Sequence, residues 1–126
     1  MQKPKQKNKI ISVLLIGNCR ITRIGLKKCL TPYKNICITN EAENGERAIY
    51  LSKISQPDII LIDDFHGSDL QSFLPKIISV TPNSKIMIIT DNKNSEEIIS
   101  TISAGVNAYC SKDITPETLA LVTGSV

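Results

Sequence analysis

The sequence is poor in histidine and aromatic residues, and it contains no long hydrophobic run. No apolar segment approaches the roughly 20 residues that span a bilayer, so we expect no contact with the membrane. The four cysteines form no CxxC pair and no zinc-ligand spacing with the single histidine, His66, which argues against a zinc site. We therefore expect reduced thiols in a cytoplasmic protein, mostly acting as small buried hydrophobic residues.

Much of the positive net charge of +3 lies in the lysine-rich N-terminus, MQKPKQKNK. Residues 1–8 are predicted to be a flexible basic tail, since no aromatic side chain there could stack on a nucleic-acid base. The apolar stretch that follows ends without a small-residue cleavage site, so no signal peptide is expected. With 41% hydrophobic and 21% charged residues overall, residues 9–126 are predicted to form one globular domain.

Short apolar runs recur along the chain and predict five strands. Residues 10–16, 59–62 and 86–89 are rich in isoleucine, which is typical of parallel strands buried on both faces. Weaker runs at residues 36–39 and 108–110 complete the set.

The segments between these runs have helical spacing, with apolar residues at intervals of three and four. The residues expected to face the core are Ile21, Ile24, Leu26, Cys29 and Leu30 in the first segment, Ala48, Leu51 and Ile54 in the second, Leu70, Phe73, Leu74, Ile77 and Ile78 in the third, and Ile98, Ile99 and Ile102 in the fourth. Asn44 and Thr115 are predicted to begin the second and fifth helices. Strand and helix thus alternate five times, which predicts an α/β fold: a doubly wound five-stranded parallel sheet with helices on both faces.

In such a sheet, functional residues lie beyond the carboxyl ends of the strands. The sequence has a carboxylate, a hydroxyl and an ammonium group there, at Asp63, Thr90 and Lys112. A carboxylate can accept a phosphoryl group, while a hydroxyl and a cation can bind its oxygens. Because side chains alternate across a strand, Asp63 and Asp64 are not expected to point into the same site.

Five segments, in the same order and spacing, resemble the receiver domain of response regulators, specifically the NarL/LuxR-type branch. They are residues 23–26, 40–48, 57–63, 89–90 and 104–113 (AGVNAYCSKD). The resemblance extends from about Lys9 to the end and implies the CheY/flavodoxin-like strand order 2-1-3-4-5. It also implies that Asp63 is the phospho-acceptor, that Thr90 and Lys112 contact the phosphoryl group, and that Tyr109 is the aromatic residue that shifts with Thr90.

The sequence departs from this family where the family has two acids that hold Mg²⁺. Those positions are Gly17 and Asn18, which offer no side chain and a neutral amide oxygen. Because Mg²⁺ is held mainly by carboxylates and water, we expect no cofactor and no firmly bound metal. A weak Mg²⁺ site made by Asp63, Asn18 and the backbone of Phe65 is the alternative.

Two further acids, Asp64 and Asp91, are predicted to modify the pocket. Asp91 directly follows Thr90, where the family usually has a small residue. Its carboxylate would either repel an incoming phosphate or supply a replacement metal ligand. Asp64 begins a loop that differs from the family pattern, and His66 in this loop is expected to contact solvent rather than to accept a phosphoryl group.

The sequence therefore predicts a signalling module, not an enzyme. We expect impaired Mg²⁺-dependent phosphorylation and signalling through protein contacts without phosphorylation, with Lys112 paired to Asp63. The expected partners are a second copy of the chain, a histidine kinase or another signalling protein, and DNA only through a LuxR-type output domain beyond residue 126. One alternative is a conventional receiver that a histidine kinase phosphorylates on Asp63. Another is a flavodoxin-like domain that binds a small ligand, although the loop after the first strand lacks a phosphate-binding pattern.

Overall fold

The structure, a computed structural model, describes residues 9–63, 67–91 and 95–126. Within these ranges five strands alternate with five helices, as predicted. Their bounds are β1 (Ile11–Gly17), α1 (Arg20–Leu30), β2 (Ile36–Ala42), α2 (Gly45–Ser55), β3 (Ile59–Asp63), α3 (Gly67–Val80), β4 (Lys85–Thr90), α4 (Ser95–Ser103), β5 (Ala108–Ser111) and α5 (Pro116–Ser125). The predicted tail and residues 64–66 lie outside the described residues.

The strands form one parallel sheet in the order β2-β1-β3-β4-β5, which confirms the predicted fold class. Gly17 at the end of β1 is the register partner of Asp63 at the end of β3. Asp63 in turn pairs with Ile89, next to the last residue of β4. The carboxyl ends of the three central strands therefore meet at one edge of the sheet.

The central strands are buried on both faces because alternate residues contribute to two separate cores. In β1, Leu14 and Ile16 pack with α2 and α3, whereas Val13 and Leu15 pack with α1 and α5. These two cores explain why the strand sequences are continuous apolar runs. None of the helices in the described ranges combines the length and the hydrophobicity of a transmembrane span.

Two helix starts agree with their predicted caps. The Asn44 side chain accepts a hydrogen bond of 2.8 Å from the backbone N–H of Arg47. The Thr115 hydroxyl likewise accepts a bond of 3.1 Å from the backbone N–H of Thr118, and Pro116 follows it as the first residue of α5. Both side chains satisfy N–H groups that a helix leaves without intrahelical partners.

The predicted buried face of α1 is wrong in part. Ile21 and Ile24 are exposed, with Ile21 80% exposed, whereas Arg23 is buried together with Leu26 and Leu30. A prediction from the spacing of apolar residues places arginine on the surface. The aliphatic part of its side chain can nevertheless be buried when the guanidinium group has partners, and the side of α1 that faces the sheet therefore includes Arg23.

The predicted faces of α2 and α4 also need correction, whereas that of α3 is right. Its residues Leu70, Phe73, Leu74 and Ile77 are buried, and Ile78 is partly buried against the same core. Ile54 in α2 and Ile99 and Ile102 in α4 are exposed. The buried side of α4 carries Thr101 instead. Ile98, three residues before Thr101, is partly buried, so the inward side of α4 runs through these two residues. Ile99 and Ile102 each follow one of them by about 100° around the helix and face solvent.

The expectation of mostly buried cysteines is also wrong. Cys19 and Cys37 are exposed, and Cys29 and Cys110 are only partly buried. Cys37 lies on β2, an edge strand, and Cys19 precedes α1 beside the crevice. A hydrogen bond from the Thr22 hydroxyl lowers the pKa of Cys19, whereas burial raises the pKa of Cys110.

Candidate functional site

Asp63 lies at the centre of the crevice and is 1% exposed. A buried carboxylate needs a compensating charge, and Lys112 supplies one from the turn that follows β5. Its Nζ lies 3.4 Å from Asp63 Oδ1. The predicted pairing of Lys112 with Asp63 is therefore present.

The other predicted pocket residues differ in their burial. Thr90 ends β4 and is buried, and Tyr109 in β5 is partly buried against the core that α2 and α3 share with the sheet. Asp91 is exposed. The fold thus brings Asp63, Thr90 and Lys112 to the same edge of the sheet, while their roles toward a phosphoryl group stay predictions, as does the movement of Tyr109.

Gly17 lies where a side chain would have little room. A Cβ atom at this position would be 3.2 Å from Cγ of Arg23 and 3.3 Å from both Cβ and Oδ2 of Asp63. Carbon atoms pack best at about 3.5–4.0 Å, so these neighbours would have to move by a few tenths of an ångström. Gly17 therefore lies in a tightly packed part of the crevice, between Arg23 and Asp63.

Arg23 is the site residue that the sequence analysis missed. Its Nη1 donates a hydrogen bond to the carbonyl oxygen of Gly17, and its Nε donates to Oε1 of Glu41 at 3.2 Å. The sequence signal was its spacing, since it precedes Leu26 by three residues and Leu30 by seven, on one side of α1.

Glu41 holds Arg23 in place from the neighbouring strand β2. Its other oxygen, Oε2, lies 2.5 Å from Nζ of Lys27. The bond from Lys27 and the weaker contribution of Arg23 hold the pKa of Glu41 below its usual range. A guanidinium group is thus held beside Gly17, at the end of β1.

The described residues do not suit a firmly held Mg²⁺ ion. Gly17 has no side chain and its carbonyl oxygen already accepts from Arg23, while Asn18 is exposed and offers only a neutral oxygen. Within the described ranges, no group of three or more Asp, Glu, His or Cys side chains could hold a metal ion. Asp64, Phe65 and His66, including the predicted ligation by the Phe65 backbone, lie outside the described residues.

The sequence matches a protein-family model over most of its length. The family model described as the response regulator receiver domain matches residues 13–123. The nitrate/nitrite response regulator protein NarL of Escherichia coli (strain K12) is 28% identical over 109 residues, which cover 86% of this chain and 50% of that protein. The transcriptional regulatory protein YdfI of Bacillus subtilis (strain 168) is 33% identical over 109 residues, covering 85% of this chain and 50% of that protein. The chain spans about half the length of these curated relatives.

Solved structures share the fold. The signal receiver domain of a NarL response regulator from Mycobacterium tuberculosis superposes with a TM-score of 0.84 at 19% identity, covering 93% of this chain and 95% of that one. A two-component response regulator of the LuxR family from Aurantimonas sp. SI85-9A1 gives a TM-score of 0.83 at 20% identity, covering 93% and 84%. At these identities the likeness concerns the architecture alone.

Proposed function

This chain belongs to the response regulator receiver domain family, and we propose that it signals without depending on Mg²⁺-assisted phosphorylation of Asp63. Domains of this family are signalling modules. The single observation that carries the proposal is the Arg23 guanidinium on the carbonyl oxygen of Gly17, a residue that stands where the resemblance to the family implies an acid.

The electrostatic argument concerns the charge that develops on a transferring phosphoryl group. Magnesium normally stabilises this charge, and a site without firm metal ligands lacks that contribution. By analogy, the loss of one preorganised electrostatic partner costs about 2.7–4 kcal/mol of barrier, or 10²–10³ in rate. We therefore expect phosphorylation of Asp63 to be at least about 10² times slower than in a receiver that binds Mg²⁺ firmly.

The ion pair between Lys112 and Asp63 supports a receiver that holds one conformation without a phosphate. Its output would be protein contact, in the cytoplasm. Because the chain spans about half of relatives named as response and transcriptional regulators, we further propose a LuxR-type DNA-binding output domain outside these residues, through which alone DNA is contacted.

Self-association is part of the proposal, and two helices offer matched apolar pairs for testing it. Ile21 and Ile24 are exposed on α1, and Ile99 and Ile102 are exposed on α4. Sedimentation of the wild type over a concentration series should show a dimer. Changing one pair to serine should abolish the dimer while the other pair leaves it intact; a wild type that is monomeric throughout would refute the homodimer.

The decisive experiment is incubation with acetyl phosphate and Mg²⁺, followed by intact-mass measurement. We expect little modification of the wild type and none of Asp63→Asn. Asn18→Asp should increase the modification, because residue 18 is exposed and a carboxylate there meets no packing obstacle. Titration of Mn²⁺ should show a saturable site in Asn18→Asp only.

Stoichiometric modification of the wild type at Asp63 would contradict the proposal and favour the alternative, a conventional receiver that a histidine kinase phosphorylates. That alternative rests on a specific observation, since Asp63, Thr90 and Lys112 share one edge of the sheet. A second measurement is the addition of beryllofluoride, which mimics a phosphoryl group. It should leave the NMR spectrum of the wild type unchanged.

A further inference from the structure

A cavity of about 200 Å³ lies between α1, α5 and the carboxyl ends of β3 and β4. Its walls are mostly apolar and include Leu26, Ile89, Ile114 and Leu119. An apolar cavity of about 150 Å³ in another protein binds benzene, so this space is large enough for a six-membered ring with one small substituent.

One end of the cavity is polar, because Asp63 and Lys112 line it side by side. This end of the cavity presents a carboxylate and an ammonium group 3.4 Å apart, and it is neutral overall because their charges cancel. A ligand anion would be attracted by Lys112 but repelled by the buried Asp63, and the reverse holds for a ligand cation. Either ion therefore gains little from the neutral pair and still has to give up part of its hydration.

An uncharged group that both accepts and donates hydrogen bonds is complementary to this end. A carbonyl oxygen can accept from the Lys112 ammonium, competing with the contacts that this group makes now, and an amide N–H can donate to the Asp63 carboxylate. The rest of such a molecule must be apolar and no larger than one ring.

We propose that this cavity is a binding site for a small uncharged molecule, one ring in size, that carries a single carboxamide or equivalent donor–acceptor group. Bound there, it would engage both members of the Asp63–Lys112 pair. It would thereby supply a chemical input at the place where the family receives a phosphoryl group. This regulatory role rests on the proposed function, whereas the binding itself does not.

The test is a set of titrations of the 126-residue chain, followed by NMR of labelled isoleucine and leucine methyl groups. Benzamide, benzoate, benzylamine and toluene are the probes, since they share a ring and differ in the head group. Benzamide should cause saturable shifts at Ile89, Ile114 and Leu119. Benzoate and benzylamine should bind at least about tenfold more weakly, because each must give up hydration of its charge beside a pair that is neutral overall.

Two glycines provide a matched pair of variants. Gly25 borders the cavity and Gly124 does not, and a Cβ atom at either position would meet nothing within 4 Å. Gly25→Phe should weaken benzamide binding about tenfold or more by obstructing the cavity, whereas Gly124→Phe should leave it unchanged. Lys112→Met should weaken benzamide about tenfold through loss of a charge-assisted hydrogen bond and leave toluene unaffected.

The absence of saturable shifts with benzamide, shifts that map elsewhere, or equal affinity in wild type and Gly25→Phe would each overturn the proposal. Equal affinities for benzamide and the two charged probes would overturn the ligand class. These results are independent of phosphorylation. Efficient modification of Asp63 would refute the proposed function without changing any titration, and a failed titration would leave the phosphorylation result untouched.

Discussion

Two aspartates flank the apolar part of β3 and differ in the partners that hold their side chains. Asp58 precedes β3 at the amino end of the sheet, and its Oδ2 accepts hydrogen bonds from the backbone N–H and the hydroxyl of Ser12, at 2.8 and 3.1 Å. Asp63 ends β3 in the crevice, where an ammonium group lies 3.4 Å away. The difference between them is the kind of partner.

The partners of Asp58 are short and fixed. Its own backbone N–H donates to the Ser12 hydroxyl at 2.9 Å, and its carbonyl oxygen accepts from the N–H of Lys85 at 3.0 Å, so one residue ties β1, β3 and β4 together. Lys112, by contrast, reaches Asp63 through a flexible four-carbon stem. The amino end of the sheet is built for rigidity, whereas an ion pair at the carboxyl end can be exchanged for another ligand.

The largest effect that would test this contrast is expected from Lys112→Met. It leaves the buried Asp63 carboxylate without this cation, which should lower the free energy of unfolding by about 3 kcal/mol, at the low end of the usual range because Lys112 is partly exposed. Adding Asp63→Asn should restore most of the loss. Urea unfolding of both variants measures this, and a double variant no more stable than the single one would show that the pair is not coupled.

A smaller loss is expected from Asp58→Ala. It removes two acceptor bonds to Ser12, so the free energy of unfolding should fall by about 2 kcal/mol. Asp63→Asn at the other end should cost less than about 1 kcal/mol, since Lys112 can return to solvent. If denaturant unfolding gave equal losses, the contrast between a rigid and an exchangeable end would not hold.

Gly17→Ala is expected to cost about 1 kcal/mol, because its Cβ atom would crowd Arg23 and Asp63. Gly25→Ala, in open space on α1, is the control and should gain about 0.5–1 kcal/mol through its helix propensity. Thermal unfolding compares them. A gain at both positions would mean that the crevice is not closed around Gly17.

The smallest effect concerns the charges that hold Arg23 in the crevice. Since Lys27 and Arg23 lower the pKa of Glu41, its contribution to stability is present above the unfolded value of about 4.5 and is lost as pH falls through the lower folded value. Glu41→Gln should therefore be less stable than the wild type at pH 7, by under about 1 kcal/mol because Glu41 is a third exposed. The two proteins should converge near pH 3; a constant difference between them would exclude this ionisation as the cause.

The sequence alone determined the features that depend on local patterns. Isoleucine-rich runs predicted the five strands, because a strand buried on both faces must be apolar at consecutive positions. The caps Asn44 and Thr115 marked helix starts through bonds within three residues. The rule that crevices lie at the carboxyl ends of parallel strands selected Asp63, Thr90 and Lys112.

Only the tertiary structure decided how the helices are rotated and what surrounds the crevice. Arg23 turns inward and Ile21 outward because the partners of the guanidinium group are Gly17 at the end of β1 and Glu41 on β2, which no pattern within α1 can reveal. The closeness of a Cβ atom at Gly17 to Asp63, and the cavity beside Lys112, likewise depend on the distances between separate elements. Local sequence determines whether a segment forms a strand or a helix. Which side of a helix faces the sheet, and how much space surrounds it, depend on residues that are distant along the chain.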